Sequence, residues 1–237
     1  MKYFVPTILM VCWLAPAFIF GQAYEGHGRN PDEFNSSLSD LKVGSVIDQF
    51  DTSGTGSFNS WSTSFLSAEG EKPVKTDKMN EDLREYEMAV DQWSCMYSPQ
   101  RAQDGDAKTA WCEDAEGDGI GETLVVKVNV EKPVKIWGGY GKSNAAYLRN
   151  SRPQDVLVSV MVSNEKEITQ TGEIYKNITV LAQTRITLDD KNNYQSLPLP
   201  MVKIPRGKQN YTFIAIKILS VYPGSKYEDT LISEVSN

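Results

Sequence analysis

The stretch Gln103-Asp-Gly-Asp-Ala-Lys-Thr-Ala-Trp-Cys-Glu-Asp-Ala-Glu-Gly-Asp-Gly-Ile-Gly-Glu122 runs without a break into Thr-Leu-Val-Val-Lys-Val-Asn-Val130. Asp104-Gly105 reads as a turn, because Gly supplies a positive φ and Asp bonds its own backbone. Trp111 begins the next extended piece and brings a large aromatic face to bury beside that turn. From Leu124 the pattern is plain. Leu124, Val126, Val128 and Val130 fall on one side, Lys127 and Asn129 on the other, which is the period of a strand. Asp114 to Gly119 imitates the start of an EF-hand loop, but its twelfth position is Val125 where a bidentate Glu is required, and no helical pattern flanks it. A phosphate-binding loop fails as well, since a strand and not a helix follows. Gly117, Gly119 and Gly121 therefore mark a tight backbone approach into the Leu124 strand.

Outward toward the C-terminus, similar strand patterns recur at Pro133–Trp137, Asp155–Val162, Ile174–Leu188, Ser196–Ile204 and Tyr211–Tyr222. Gly138-Gly139, Asn150 to Pro153, Asp189 to Asn193 and Pro205 to Gly207 punctuate them. Many short strands with few helical patterns between them specify an all-β sandwich or barrel. Residues 91–237 suit one such domain, and no internal repeat is visible.

The DGD-x-x-T-x-W element resembles the start of a discoidin (coagulation factor 5/8 type C), galactose-binding-like jelly-roll β-sandwich. The added Ala115-Glu-Gly-Asp-Gly-Ile-Gly-Glu122 run is narrower and resembles the NADase-type glycan-binding domain, named after the translocation domain of a bacterial NAD-glycohydrolase toxin. Trp137-Gly-Gly-Tyr-Gly-Lys142, Asn150-Ser-Arg-Pro153 and Ile232-Ser-Glu-Val235 match that family's middle and last strand, so the likeness spans Trp93 to Val235.

The resemblance implies a turn that wraps a structural Ca²⁺, with Asp104, Asp106, Thr109 and Glu234 as hard oxygen ligands. The alternative is a metal-free turn in which Glu234 bonds backbone amides. It also implies ligand recognition by loops at one end of the sandwich, where Trp137, Tyr140, Asn144, Tyr147, Arg149 and Arg152 supply aromatic faces and hydrogen-bonding groups suited to a sugar. Tyr140, Tyr147 and Arg149 are the ones expected to be exposed. Trp137 suits a core position, and Arg152 and Asn150 suit bracing the loop through backbone carbonyls.

Toward the N-terminus the texture changes. Lys2, the apolar run Phe4 to Phe20 and the small residues Gly21 and Ala23 describe a secretory signal peptide over residues 1–23, too short to span a membrane. Residues 24–90 read as a low-complexity spacer, disordered or extended, with a short helix at 78–90 where Met79, Leu83, Tyr86 and Val90 recur at helical spacing. Phe58, Trp61 and Phe65 interrupt that composition, and docking of these rings on the folded part is the alternative. With the leader removed, Cys95 and Cys112 form an even pair in an exported chain, which predicts a disulfide; two buried thiols is the other option. Sequons stand at Asn35, Asn177 and Asn210.

The net charge of −7 argues against nucleic acid and anionic membranes as general partners. The one histidine, His27, lies far from the domain, which leaves no Ser-His-Asp, Cys-His or multi-histidine metal chemistry. Paired carboxylates remain available, but they cluster in the turn and in polar loops. The expectation is a non-catalytic module, secreted, periplasmic or on the cell surface, that binds carbohydrate or else a surface, matrix or toxin-system protein.

Overall fold

The computed structural model describes residues 38–52, 59–76, 83–170, 172–205 and 209–237. The signal-peptide segment 1–23, Phe58 and Met79 lie outside them, as do the sequon at Asn35 and His27. Among the described residues, eleven strands and two α-helices make the architecture all-β. The strands are β1 (Val46–Asp51), β2 (Ser60–Ser62), β3 (Trp111–Cys112), β4 (Thr123–Lys127), β5 (Val134–Gly138), β6 (Arg152–Ser163), β7 (Glu165–Ile168), β8 (Glu173–Thr187), β9 (Gln195–Leu197), β10 (Tyr211–Tyr222) and β11 (Leu231–Ser236). The helices are α1 (Leu83–Ser94) and α2 (Asn144–Arg149), with a 3-10 turn at Pro99–Ala102.

Two antiparallel sheets form a galactose-binding-like sandwich. The larger has the order β1-β8-β6-β10-β4-β2, with β7 paired to β8, and the smaller is β3-β11-β5-β9. Strand alternation fills the space between them. Leu124, Val126, Val156, Val158, Val160, Ile214, Ile216 and Ile218 of the large sheet meet Trp111, Ile136, Leu197, Ile232 and Val235 of the small one. The expected strand at Ser196–Ile204 shrinks to β9, because Pro198 and Pro200 cannot donate to a ladder. Of the helix expected at 78–90, residues 83–90 belong to α1, which continues to Ser94; 78–82 lie outside the described residues.

The spacer reading of residues 24–90 is corrected wherever that segment is described. The large sheet is apolar on its outer face too, and residues 38–52 and 59–62 cover it. Val125, Met161, Tyr175, Ile178, Val180, Phe213 and Ala215 form a second core with Leu38, Ile47, Phe50 and Trp61. β1 and β2 sit at opposite edges of the sheet, yet Phe50 stacks on Trp61 at 4.5 Å and both rings touch Phe213 edge-on, at 5.3 and 5.9 Å. The sheet is therefore curled until its edges meet. The Trp61 indole N–H donates to the Asp51 carbonyl (3.1 Å), which closes the seam.

Residues 62–66 continue along the Gln103–Glu122 stretch. Leu66 N–H donates to Cys112 O (2.8 Å), the Trp111 indole N–H to Ser64 O (2.9 Å), and the Thr63 and Ser64 hydroxyls both donate to Glu122 (2.5 Å each). A Ser/Thr-rich composition here serves hydrogen bonds to the domain and not solvation.

Trp61→Ala should cost about 3–5 kcal/mol in urea unfolding, as for other large buried aromatics. A fragment restricted to residues 77–237 should unfold at a much lower midpoint or aggregate, because the second core would face water. Equal midpoints for fragment and full chain would contradict the covered-face architecture.

Candidate functional site

Strands β4, β6 and β11 leave one end of the sandwich, and β5, β8 and β10 arrive there. The loops 99–122, 139–151, 188–194 and 223–230 gather at that end. Two of them are joined by backbone bonds: Ser225 N–H donates to Leu148 O and Tyr227 N–H to Arg149 O.

The Asp104 turn is closed by its own side chains. Asp104 accepts from Asp106 N–H (3.0 Å) and from the Thr109 hydroxyl (2.8 and 2.9 Å), and Glu234 accepts from Gly105 N–H (3.0 Å). Gly105 takes a φ of +79°, the conformation foreseen for it. Asp104, Thr109 and Glu234 thus meet on one turn, while the Asp106 carboxylate accepts from Lys108 N–H (2.9 Å). Glu234 is 2% exposed, and its carboxyl is pushed up to about 7, by burial first and then by Asp104 and Asp106. All donors are hard oxygens, a set that suits Ca²⁺. Among the described residues no three His, Cys, Asp or Glu groups lie close enough together to make a metal cluster on their own.

The glycine-rich run after Trp111 wraps a second buried carboxyl that the sequence did not single out. Glu113 is 0% exposed and accepts from Thr230 N–H (2.9 Å) and Ala115 N–H (2.7 Å). A Cβ on Gly119 would come within 2.3 Å of the Glu113 side chain, and its φ of +66° also requires glycine. Burial pushes the Glu113 carboxyl up to about 7 against the pull of the two amides.

Of the six residues expected to meet a ligand, Tyr140 and Arg149 line a groove of about 470 Å³ on this end. The other four are placed elsewhere. Tyr147 is buried, donates its hydroxyl to Asp190 (2.9 Å) and is not an exposed platform. Arg152 is buried too. It pairs bidentately with Asp190 (2.7 and 3.1 Å) and donates to the carbonyls of Asn150 and Pro223 (3.1 Å each), so it braces the loops. Trp137 is half-buried, edge-on to Tyr194 at 5.1 Å, and donates to Asn192 (3.1 Å). Asn144 accepts from that same Asn192 (2.6 Å), so these two belong to a separate corner.

The groove is completed by residues that sequence reasoning missed: Glu69, Tyr97, Lys142, Tyr227 and Asp229. A neighbouring depression shares Glu69, Tyr97, Tyr140 and Lys142 and extends to Arg101, Lys108 and Thr109, beside the Asp104 turn. Lys142 stands over the Tyr140 ring at 5.9 Å. Burial, with Glu69 next, holds the Tyr97 hydroxyl well above its usual range, so it remains a neutral donor.

The expected Cys95–Cys112 bridge is not formed; both are buried free thiols. Cys112 packs in β3 with Ala110 and Leu231 under the groove, while Cys95 ends α1 beside the Ser94 hydroxyl. Burial raises both thiols, which keeps them protonated and unreactive.

The NAD glycohydrolase translocation F5/8 type C domain profile matches residues 77–237, and the chain belongs to that family. No curated protein matches it. Among solved structures, a family 32 carbohydrate-binding module from C. perfringens NanJ in complex with galactose is 16% identical, over 59% of this chain and 83% of its own, with a TM-score of 0.30. The arabinofuranosyltransferase AftD from Mycobacteria is 12% identical over 59% of this chain and 9% of its own, at 0.33. Overlays this loose fix no residue of the groove. No helix among the described residues is long and apolar enough to cross a membrane.

Glu113 gives the site a pH signature. Its carboxyl is raised in the folded chain, so as pH climbs from about 4.5 to 7 the unfolded chain loses this proton first. Stability from this group is full below that window and is lost as pH rises through 7, a change on the order of 3 kcal/mol. Denaturation of Glu113→Gln across pH 4.5–8 should show a flatter profile than the parent. An unchanged slope would remove Glu113 as its source.

Proposed function

We propose that this chain is an exported, non-catalytic binding module that recognises carbohydrate through the groove at the α2 end of the sandwich. The observation that carries this reading is the convergence of Tyr97, Tyr140 and Tyr227 with Lys142, Arg149, Glu69 and Asp229 on one open cleft. A sugar presents an apolar ring face and paired hydroxyls. Tyrosines supply flat, amphipathic contact area, and flanking charged groups give and take the hydroxyl hydrogen bonds. Arg152, Asp190 and Tyr147 hold the loops that display it. Family membership supports a binding role, and the apolar start at residues 1–23 supports export.

A glycan array probed with the chain should return a defined set of sugars, and Tyr140→Ala or Arg149→Ala should weaken binding about tenfold without lowering Tm. Tyr147→Ala should lower Tm instead, since its ring is buried. An array without hits, or hits indifferent to Tyr140 and Arg149, would remove the reading.

A second reading is a module that docks on an envelope or toxin-system protein. It is favoured by the apolar run Leu199–Ile204 at the opposite end, where the Met201 side chain is fully exposed. Recovery of one stoichiometric partner, lost on Met201→Glu, would replace the carbohydrate reading.

The Asp104 turn serves the groove as its Ca²⁺-stabilised shoulder. Asp104, Asp106, Thr109 and Glu234 would hold the ion, and its charge would offset the burial, and after it the Asp104 and Asp106 repulsion, that keep the Glu234 carboxyl raised. Millimolar Ca²⁺ should raise Tm by several degrees at neutral pH, and Glu234→Gln should abolish the increment. The same Tm in Ca²⁺ and in chelator would dismiss the ion.

A further inference from the structure

We infer that the groove selects a carboxylate-bearing sugar, of the uronic or sialic type, over its neutral counterpart; this rests on the carbohydrate reading above. The chain carries a net charge of −7, yet the joined cleft is lined by Lys108, Lys142 and Arg149, beside an Arg101 that faces Asp104, with Glu69 and Asp229 as its lining carboxylates. The arginines used in the architecture are all engaged. Arg152 pairs with Asp190 and Arg185 with Asp155, while Arg101 bonds the Cys95 carbonyl and faces Asp104. Arg149, Lys142 and Lys108 have no carboxylate partner among the described residues, and all three are exposed at the cleft. Three cations without a carboxylate partner, gathered along one cleft together with tyrosines, make a place suited to an anionic group.

The distribution of charge narrows the class. Arg149 and Lys142 line the cleft beside the α2 loop, and Glu69 and Asp229 complete it; burial, followed by Asp114 and Glu69, raises the Asp229 carboxyl. A ligand must therefore offer an anionic group to Arg149 and Lys142 and hydroxyl donors to Asp229 and Glu69. A hexuronic or sialic acid has both on one ring. A cationic amino sugar is repelled by the lysine and arginine, and a chain dense in sulfate with few hydroxyls meets Asp229 and Glu69 unpaired. Guanidinium and carboxylate pair in a planar, bidentate manner, so one sugar acid suffices to engage Arg149.

Titration calorimetry of the full chain with two matched pairs tests this: sialyllactose against lactose, and oligogalacturonate against its methyl ester. The acid of at least one pair should bind about tenfold more tightly than its neutral partner, with the advantage shrinking as salt is raised. Arg149→Gln and Lys142→Gln should each bring the acid toward the neutral level, with unchanged Tm. Equal binding of acid and neutral partner in both pairs would overturn the inference and leave the carbohydrate reading standing. Absence of binding by these four ligands and by every neutral glycan on an array would overturn both.

Discussion

Phe213 leaves β10 on the side opposite Ile214 and Ile216, so the central strand of the large sheet carries apolar residues on both faces. One face is covered by the small sheet. The other is covered by the chain's own N-terminal part, through the stack of Phe50 on Trp61 and the contact of both with Phe213. Two thin edge strands, β1 and β2, are thereby held at opposite margins of one sheet and pressed together. Each is too short to stand alone, and buried aromatic area together with the Trp61–Asp51 bond compensates for their ordering. The rest of the architecture is built around a large sheet that carries a covered apolar core on each face.

That constraint decides where recognition occurs. With the apolar parts of both faces of the large sheet covered, the groove lies at one end of the sandwich. The two ends differ in chemistry: one collects tyrosines and charged side chains around α2, the other the apolar run before Pro205. The α2 end is also cross-braced by buried side chains. Arg152 ties the 139–151, 188–194 and 223–230 loops into one body, and Glu113 joins the glycine-rich run to Thr230 at the head of β11. Buried charges of this kind contribute little net stability, but they hold a fixed arrangement of loops. Rigid loops lower the ordering cost of binding a flexible, polar ligand.

Much of this was legible in the residues. The alternation from Leu124 to Val130 and the DGD-x-x-T-x-W element specify the sandwich, because strand period and turn chemistry are local properties. The bracing alternative for Arg152 was also readable, as an Asn-Ser-Arg-Pro corner has backbone carbonyls within reach. What was hidden depends on long-range partners. Ser60-Trp61-Ser62 is too short to show a period, and its Ser/Thr neighbours look solvated until Glu122 is seen to accept their hydroxyls. Tyr147 reads as exposed in a polar loop, yet Asp190, 43 positions away in sequence, draws it inward. Glu69, Tyr97 and Asp229 reach the groove from three separated segments, and no spacing rule connects them. An even count of two cysteines suggested a bridge, but Cys95, just after α1, and Cys112, in β3, are separate buried thiols.

The most direct test of the account is hydrogen–deuterium exchange of the full chain, followed for β1 and β2. If residues 46–51 and 60–62 cover the sheet, the amides of Phe50 and Trp61 should be protected nearly as strongly as those of β10, and all should open together in denaturant. Exchange of Phe50 and Trp61 at the rate of an unstructured peptide, with β10 still protected, would contradict the covered sheet and return this segment to a spacer.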